Sequence, residues 1–166
     1  MKKYILPLLI AVAGIILGGY FLLMQESDPV KVRKTIKSFC RMGSKSESDG
    51  AAGAMVLISR TREIFADEFS VQIREAGLNG KFNPTKMTSE LARCRAIFSS
   101  VKLDAEDMEI SFPEPGRALV FFTGVLDGKT KSGRRISEAR DVECRLVLTE
   151  GKWKIVHFQL QEILAR

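Results

Sequence analysis

A long run of residues without a charged side chain lies close to the N-terminus. After three N-terminal residues, no charged side chain occurs between Tyr4 and Met24. A helix rises about 1.5 Å per residue, so this run is long enough to cross a hydrocarbon core of roughly 30 Å. It is also longer than the apolar core of a secretory signal peptide, about 7–15 residues, and no small-residue cleavage pattern follows it. We therefore predict an uncleaved transmembrane helix, with residues 1–25 as cytoplasmic tip and anchor.

The charges on either side of this run indicate its orientation. Lys2 and Lys3 precede the run, and the first charged residues after it are Glu26 and Asp28. The positive-inside rule places the lysine-bearing end in the cytoplasm. We therefore expect a single-pass protein of the cell (inner) membrane, with a cytoplasmic N-terminus and a periplasmic, extracytoplasmic C-terminal domain.

Three segments beyond the run carry apolar residues at the spacing of a helix face. They cover residues 29–42, 54–67 and 84–98. Asp28-Pro29 and Asn83-Pro84 give the first and third segments a cap residue followed by proline, which is a typical helix start. A polar, glycine-rich linker over residues 43–53 follows the first segment. The pattern therefore predicts three helices, the first of them next to the membrane.

Alternation of apolar and polar residues predicts five strands in the rest of the chain. They cover residues 69–74, 101–112, 117–126, 136–149 and 152–163. The sequence from Gly77 to Gly80 is expected to form a turn that ends the first strand. Short turns join the last four strands, which indicates antiparallel hairpins. Helices followed by a run of hairpins indicate an α+β domain with the helices on one face of the sheet.

The composition of the chain is mildly basic. The chain of 166 residues contains 26 Lys and Arg against 20 Asp and Glu, a net charge of +6. Without Lys2 and Lys3, the outer part keeps 24 basic residues against 20 acidic ones, a net charge of +4. Such a surface favours anionic headgroups or an acidic partner. The membrane is therefore an expected partner, and nucleic acid is not, because the domain is expected outside the cytoplasm.

The cysteines are too few and too widely spaced to indicate a metal or redox site. Cys40, Cys94 and Cys144 form no C-x-x-C pair, and the chain has one histidine. We predict neither a metal site nor a cofactor. The three cysteines are expected to be buried as small apolar residues. The alternative, in an oxidising compartment, is one disulfide in any of three pairings.

Two local sequences and the order of the elements point to a known superfamily. Ile64–Ile73 runs from the second helix into the first strand, and Glu150–Val156 forms a closing hairpin with a tryptophan. With the element order, over about residues 28–164, they resemble the nuclear-transport-factor-two-like superfamily, also called cystatin-like or SnoaL-like. The resemblance implies a cone-shaped domain of three helices packed on a curved, mainly antiparallel sheet. Residues 26–53 then hold the juxtamembrane helix and polar linker, and residues 54–166 the remainder of the domain.

The resemblance also implies a pocket inside the cone, where a ligand or acid–base groups would lie. On the last strand, Trp153, His157 and Gln159 occupy alternate positions and are expected on the same face. Glu143 lies on the preceding strand. These four residues are the candidate ligand-binding set. Ketosteroid isomerases of this superfamily use a tyrosine, but both tyrosines of this chain lie in the apolar run. Isomerase chemistry is therefore not expected.

Cys144 is the one cysteine that the predicted hairpin brings to the histidine. If the closing hairpin turns near Gly151, paired residue numbers sum to about 301–302, which sets Cys144 opposite His157. The thiol would lie beside Val142 and Leu146, where it stays protonated and inert. No catalytic residue is therefore predicted, and His157 and Cys144 are kept only as weak candidates.

A basic hairpin tip offers a second candidate site, for interaction with a partner. Its four basic residues are Lys129, Lys131, Arg134 and Arg135. Their charges favour an acidic protein surface or a phosphate group. A merely solvated turn is the alternative interpretation.

The sequence therefore supports two functional hypotheses. The first is a membrane-anchored, non-catalytic interaction or assembly domain outside the cytoplasm, whose partner is another copy of itself or a subunit of a membrane complex. The alternative is a small-molecule-binding domain, or an isomerase- or hydrolase-like enzyme, that uses the cone pocket. An enzyme should have a deep pocket in which His157 faces a carboxylate. An assembly domain should have a filled cone and an apolar, exposed sheet face.

Overall fold

The described residues form a six-stranded sheet and three α-helices. The computed structural model describes residues 27–47 and 52–161. The helices are α1 (Asp28–Gly43), α2 (Ala52–Ile64) and α3 (Pro84–Ile97). The strands are β1 (Phe65–Ile73), β2 (Leu78–Phe82), β3 (Phe98–Glu114), β4 (Arg117–Thr130), β5 (Arg135–Thr149) and β6 (Lys152–Leu160).

The predicted transmembrane helix at Tyr4–Met24 lies outside the described residues and stays a prediction. Within residues 27–47 and 52–161, none of the helices has the length and apolar character that crossing a membrane requires. The polar linker that follows α1 is described only up to residue 47.

The sheet is mixed, with one parallel pair. Its strand order is β2-β1-β6-β5-β4-β3. Of the neighbouring strands described, β1 and β6 run parallel, and the other pairs run antiparallel. The prediction of an α+β domain, with three helices and a curved, mainly antiparallel sheet, is therefore confirmed for the described residues.

The hydrophobic pattern does not predict β2, because few of its residues face the core. Leu78 and Phe82 are half-buried and buried, whereas the three residues between them are exposed. Gly77 does make a turn in the left-handed region, with φ of 67°. The chain after this turn then returns along β1 as an antiparallel strand. The predicted end of the first strand is therefore confirmed, but the segment continues as a strand that the sequence pattern does not predict.

The apolar faces of the helices supply one side of the core. In α1, Val32, Ile36 and Cys40 recur at the predicted helical spacing and are buried. The α3 helix begins where the sequence predicts it, with Pro84 in its first turn. The Asn83 side chain accepts a hydrogen bond from the backbone N–H three residues later, at 2.8 Å. This cap satisfies one of the N–H groups that a helix start leaves without a partner.

One face of the sheet supplies the other side of the core. Fully buried strand residues include Phe65, Val71, Val120, Cys144 and Ile155. Phe39 of α1 contacts this face edge-on, with its ring 5.7 Å from the Phe65 ring and 5.2 Å from the Phe158 ring. Such aromatic pairs add about 0.5–1.5 kcal/mol to the burial of apolar area. The aromatic contacts therefore hold α1 on the sheet.

A β-bulge in β6 decides which of its side chains face the core. In the β5–β6 ladder, Ile155 pairs with Leu146 and His157 pairs with Arg145, so Val156 is an extra residue. Side chains alternate between the two faces of a strand, and one extra residue reverses that alternation. The core-facing residues of β6 are Trp153, Ile155, Phe158 and Leu160.

The bulge also overturns the predicted pairing of Cys144 with His157. Cys144 lies opposite Phe158 in the ladder and is fully buried on the core face. His157 lies opposite Arg145, on the other face of the sheet. The prediction assumed one register for the whole hairpin, and the extra residue breaks that register.

Candidate functional site

The concave face of the sheet, α1 and α3 enclose a cavity of about 290 Å³. Its apolar wall includes Val71, Ile73, Leu91, Phe122, Val142 and Leu160. Pockets for small molecules in proteins are typically about 300–1,000 Å³, so this cavity lies just below that range. Its position is the one that the cone-shaped fold implied.

Gly124 keeps the sheet side of the cavity open. It lies on β4 and lines the cavity, opposite Arg140 of β5. A methyl group on Gly124 would come within 3.2 Å of Val142 Cγ2. A side chain at this position would therefore displace its neighbour or take up part of the cavity.

Charged side chains interrupt the apolar wall at a few points. They are Glu90, Arg95, Asp104, Glu138 and Arg140. Each of the three carboxylates has a basic neighbour. The pairs are Glu90–Arg93 at 3.0 Å, Asp104–Lys102 at 3.4 Å and Glu138–Arg140 at 3.7 Å. The acids that line the cavity are thus already in contact with cations.

Two contacts favour the ionised form of the Asp104 carboxylate. The backbone N–H of Ala105 donates to its Oδ1 at 2.9 Å. This hydrogen bond, and then the interaction with Lys102, holds the pKa of Asp104 below its usual value. Asp104 is therefore a carboxylate anion at neutral pH and a poor proton acceptor.

Two of the three cysteines line the cavity. Cys40 is buried in its wall and Cys94 is exposed, whereas Cys144 is fully buried elsewhere in the core. Burial, and then the Asp104 carboxylate, raises the pKa of Cys40 to about 11. Burial raises the pKa values of Cys94 and Cys144 as well. The prediction that all three cysteines are buried is confirmed for Cys40 and Cys144 and is wrong for Cys94.

His157 lies on the convex face of the sheet, away from the cavity. Its Nδ1 is 2.6 Å from Ser70 Oγ, and its Nε2 is 3.4 Å from Gln159 Oε1. On the same face, Glu143 accepts a hydrogen bond from Arg145 Nε at 2.8 Å. The structure therefore brings together three of the four predicted ligand-binding residues, but on the side of the sheet opposite to the cone.

Trp153, the fourth of these residues, is a core residue rather than a cavity residue. It is 3% exposed, and its ring lies 5.7 Å from the ring of Phe112. Gln159 lines a separate cavity of about 130 Å³ at the ends of β1 and β6, with Gln72 and Gln161. The ligand-binding roles assigned to these residues from the sequence stay predictions.

The basic hairpin tip forms between β4 and β5. All four of its predicted residues, Lys129, Lys131, Arg134 and Arg135, are exposed. The Lys131 N–H donates to the Ile97 carbonyl oxygen at 3.0 Å, which attaches the tip to the end of α3. The role of the tip as an interaction surface stays a prediction.

The charged residues that line the cavity are not among the predicted site residues. The sequence could have placed two of them at the cavity. Glu138 and Arg140 continue the alternation of Val142 and Cys144 toward the start of β5. They therefore share the concave face with the core. The carboxylates of Glu90 and Asp104 had no comparable signal.

Comparison with known proteins gives the fold of this chain. No protein-family model matches it, and no curated protein matches it. Solved structures do match. An uncharacterised protein with a cystatin-like fold from Caulobacter vibrioides is 15% identical, with a TM-score of 0.59, over 81% of this chain and 90% of that one.

Two further solved structures belong to proteins with different roles. A LinA-type hexachlorocyclohexane dehydrochlorinase from Novosphingobium barchaimii is 9% identical, with a TM-score of 0.64, over 80% of this chain and 84% of that one. The association domain of C. elegans CaMKII is 10% identical, with a TM-score of 0.56, over 79% of this chain and 92% of that one. At these identities the similarity shows the cystatin-like fold alone, and a shared fold does not decide function.

Proposed function

We propose that this domain binds a small apolar molecule in its cone cavity and acts through binding rather than through acid–base catalysis. The observation that carries the proposal is the cavity itself, about 290 Å³ in volume and lined mainly by apolar side chains. Small-molecule sites combine an apolar wall with a few polar groups in this way. Burial of the ligand's apolar surface, at about 25 cal/mol per Å², is the main driving force.

The polar groups at the cavity argue against acid–base catalysis. A general base needs a pKa near the working pH and a position within reach of the substrate. The pKa of Asp104 is lowered instead, by a backbone hydrogen bond and by Lys102. Glu90 and Glu138 are in contact with arginine side chains. His157 lies on the opposite face of the sheet, where it cannot reach a molecule in the cone.

The open cavity also favours ligand binding over a purely structural role. A domain that served assembly alone is expected to have a filled cone and an apolar outer sheet face. The convex face here carries a polar group of side chains around His157 and Glu143. Assembly with a second copy or with a membrane-complex subunit is the second candidate, because the fold is shared with an association domain.

Photolabelling of the full chain tests ligand binding at the cavity. The probe is an octyl chain that carries a diazirine, and peptide mass spectrometry locates each attachment. We expect saturable labelling in α3 and in the neighbouring parts of β3 and β4, whose residues line the cavity. Leu91→Trp fills the cavity from α3 and should abolish this labelling. Ile97→Trp is the matched control, since Ile97 lies on the same helix with 59% of its surface exposed.

Peptides from the N-terminal apolar run give an internal reference for non-specific partitioning of the probe. Thermal melting of both tryptophan variants checks that they are folded. Labelling of α3 that does not saturate, or that is the same in Leu91→Trp as in Ile97→Trp, would exclude the cavity as the binding site.

A further inference from the structure

Two large apolar side chains are exposed at one end of the sheet. Phe112, near the end of β3, is 40% exposed, and Leu148, near the end of β5, is 41% exposed. Leu148 lies opposite Trp153 in the β5–β6 ladder, and the Phe112 ring is 5.7 Å from the Trp153 ring. Both side chains therefore lie beside the same buried tryptophan. We call Phe112 and Leu148 the end patch.

The β3–β4 turn lies beside the end patch and has few polar groups that need water. The Leu148 N–H donates to the Gly116 carbonyl oxygen of this turn at 2.8 Å. Pro113 and Pro115 are exposed and have no backbone N–H. Glu114, between them, is in an ion pair with Arg117 at 3.3 Å. Because a polar group costs free energy when it loses water without gaining a partner, this turn is suited to partial burial at an interface.

The first half of α1 lies at the same end of the sheet. Thr35, about two turns into α1, donates from its Oγ1 to the Trp153 carbonyl oxygen at 3.3 Å. Just after the other end of α1, Ser44 Oγ accepts a hydrogen bond from the Leu103 N–H at 2.9 Å, near the start of β3. The chain that leads into α1 therefore joins the domain at the end that carries the end patch.

The connection from the predicted transmembrane helix to α1 is short. Only residues 25–27 separate the apolar run from Asp28, where α1 begins. Three extended residues span at most about 11 Å. Lys31, Arg33 and Lys34 follow in the first turns of α1, and their charges complement anionic headgroups. Chain length and charge therefore both favour a position of this end of the domain at the headgroups of a membrane that the run crosses.

We infer that the end patch docks on the lipid surface, with Phe112 and Leu148 at the boundary between headgroups and acyl chains. Apolar side chains flanked by basic residues bind membrane surfaces in this way, by burial of apolar area and by attraction to anionic lipids. This docking rests on the predicted anchor and goes beyond ligand binding in the cavity. Val101 and Leu103 line the cavity near the start of β3, at the other end of that strand from Phe112, so docking leaves the cavity uncovered.

Photocrosslinking of the full chain in lipid vesicles tests the docking. The photoreactive amino acid p-benzoylphenylalanine replaces Phe112, and the vesicles contain phosphatidylcholine and phosphatidylglycerol. They are floated before irradiation, so that only membrane-bound chains are counted, and peptide mass spectrometry identifies what position 112 has captured. We expect phospholipid adducts to be the main product.

Phe121 provides the matched control position. It is 42% exposed on β4, and its partner Glu143 in the ladder belongs to the convex face. The same replacement at Phe121 should give about tenfold fewer lipid adducts, because docking through the end patch keeps the convex face out of the bilayer. Ile97 is a second control, since it is 59% exposed and its carbonyl oxygen binds the Lys131 N–H of the basic hairpin tip. Capture of lipid through exposure alone would be greatest there.

A change in the other half of the end patch tests whether the two side chains act together. With the photoreactive group at position 112, Leu148→Ser should lower the yield of lipid adducts severalfold. Phe121→Ser, which changes a side chain of similar exposure outside the end patch, should leave the yield unchanged. Thermal melting of both variants checks that they are folded.

Four outcomes would overturn the docking. Equal lipid capture at positions 112, 121 and 97 would mean that collision with the membrane is not oriented. Dimers of the chain as the main product at position 112 would mean that a second copy covers the end patch. Capture of the chain's own residues 1–26 would assign the patch to that segment. A chain that does not float with the vesicles would fail the predicted anchor and the docking together. Labelling of the cavity by the octyl diazirine is independent of all four, so the proposed function is tested separately.

Discussion

The three cysteine side chains differ in access and ionisation, which makes them reporters of the cavity. Cys94 is exposed at the cavity, and Cys40 is buried in its wall. Burial raises the pKa of Cys40 to about 11, so at pH 8 roughly a thousandth of it is thiolate. Burial also raises the pKa of the fully buried Cys144. Access and thiolate population therefore both favour reaction of Cys94 before Cys40 and Cys144.

We predict that a small alkylating reagent modifies Cys94 first and leaves Cys40 and Cys144 largely unmodified in the native chain. Modification of Cys40 should accelerate as the pH rises from about 8 toward 11, because its thiolate population grows over that interval. Iodoacetamide labelling with peptide mass spectrometry measures the rates. The urea-unfolded chain is the control, in which the three thiols should react alike. Faster native modification of Cys40 than of Cys94 at pH 8 would contradict the prediction.

At the scale of single residues, the sequence identifies the core better than it identifies the site. Val142, Cys144 and Leu146 alternate along β5 and are buried as predicted. Arg140 continues the same alternation, but a charged residue in a strand is usually solvated. Only the cavity, whose wall includes Arg140, distinguishes this side chain from a solvated one.

At the scale of elements, local signals are predictable and pairing irregularities are not. The starts of α1 and α3 follow from a cap residue and a proline, which act within one turn. The position of the bulge at Val156 depends on how β5 and β1 pair with β6. Nothing in the sequence of β6 marks that position. The same bulge moved His157 to the convex face and changed the candidate site.

Trp153 is one of the buried side chains that hold the β5–β6 hairpin in the core. Trp153 is 3% exposed and contacts Phe112, and its carbonyl oxygen accepts a hydrogen bond from Thr35 Oγ1 at 3.3 Å. We predict that Trp153→Ala lowers the free energy of unfolding by about 3–5 kcal/mol, because it leaves a cavity in the core. Urea denaturation measures the loss.

The control variant changes Leu148, which lies opposite Trp153 in the β5–β6 ladder. Leu148 pairs with Trp153 but is 41% exposed, so Leu148→Ala should cost only about 1 kcal/mol or less. Comparable losses in the two variants would mean that Trp153 does not anchor the hairpin.

At the scale of the whole molecule, the predicted anchor and the proposed ligand support each other. Apolar neutral molecules partition into the hydrocarbon core of a membrane. A domain tethered at the membrane surface would meet them at a higher local concentration than a domain free in solution, by the effective-concentration argument that applies to linked binding sites. The predicted basic juxtamembrane face of α1 would hold the domain near anionic headgroups.

Residues Tyr4–Met24 are therefore expected to keep the domain on the membrane without being cleaved. The full chain should remain in the membrane pellet after an alkaline carbonate wash, and mass spectrometry should find its original N-terminus. A lysine at the centre of a span costs about 2.5–3.5 kcal/mol, so Ile15→Lys combined with Leu17→Lys should release the chain. Valine at the same two positions is the matched control and should keep it in the pellet. A mature N-terminus between Gln25 and Asp28 would show that the run is removed, and the domain would then have to find its ligand without a tether.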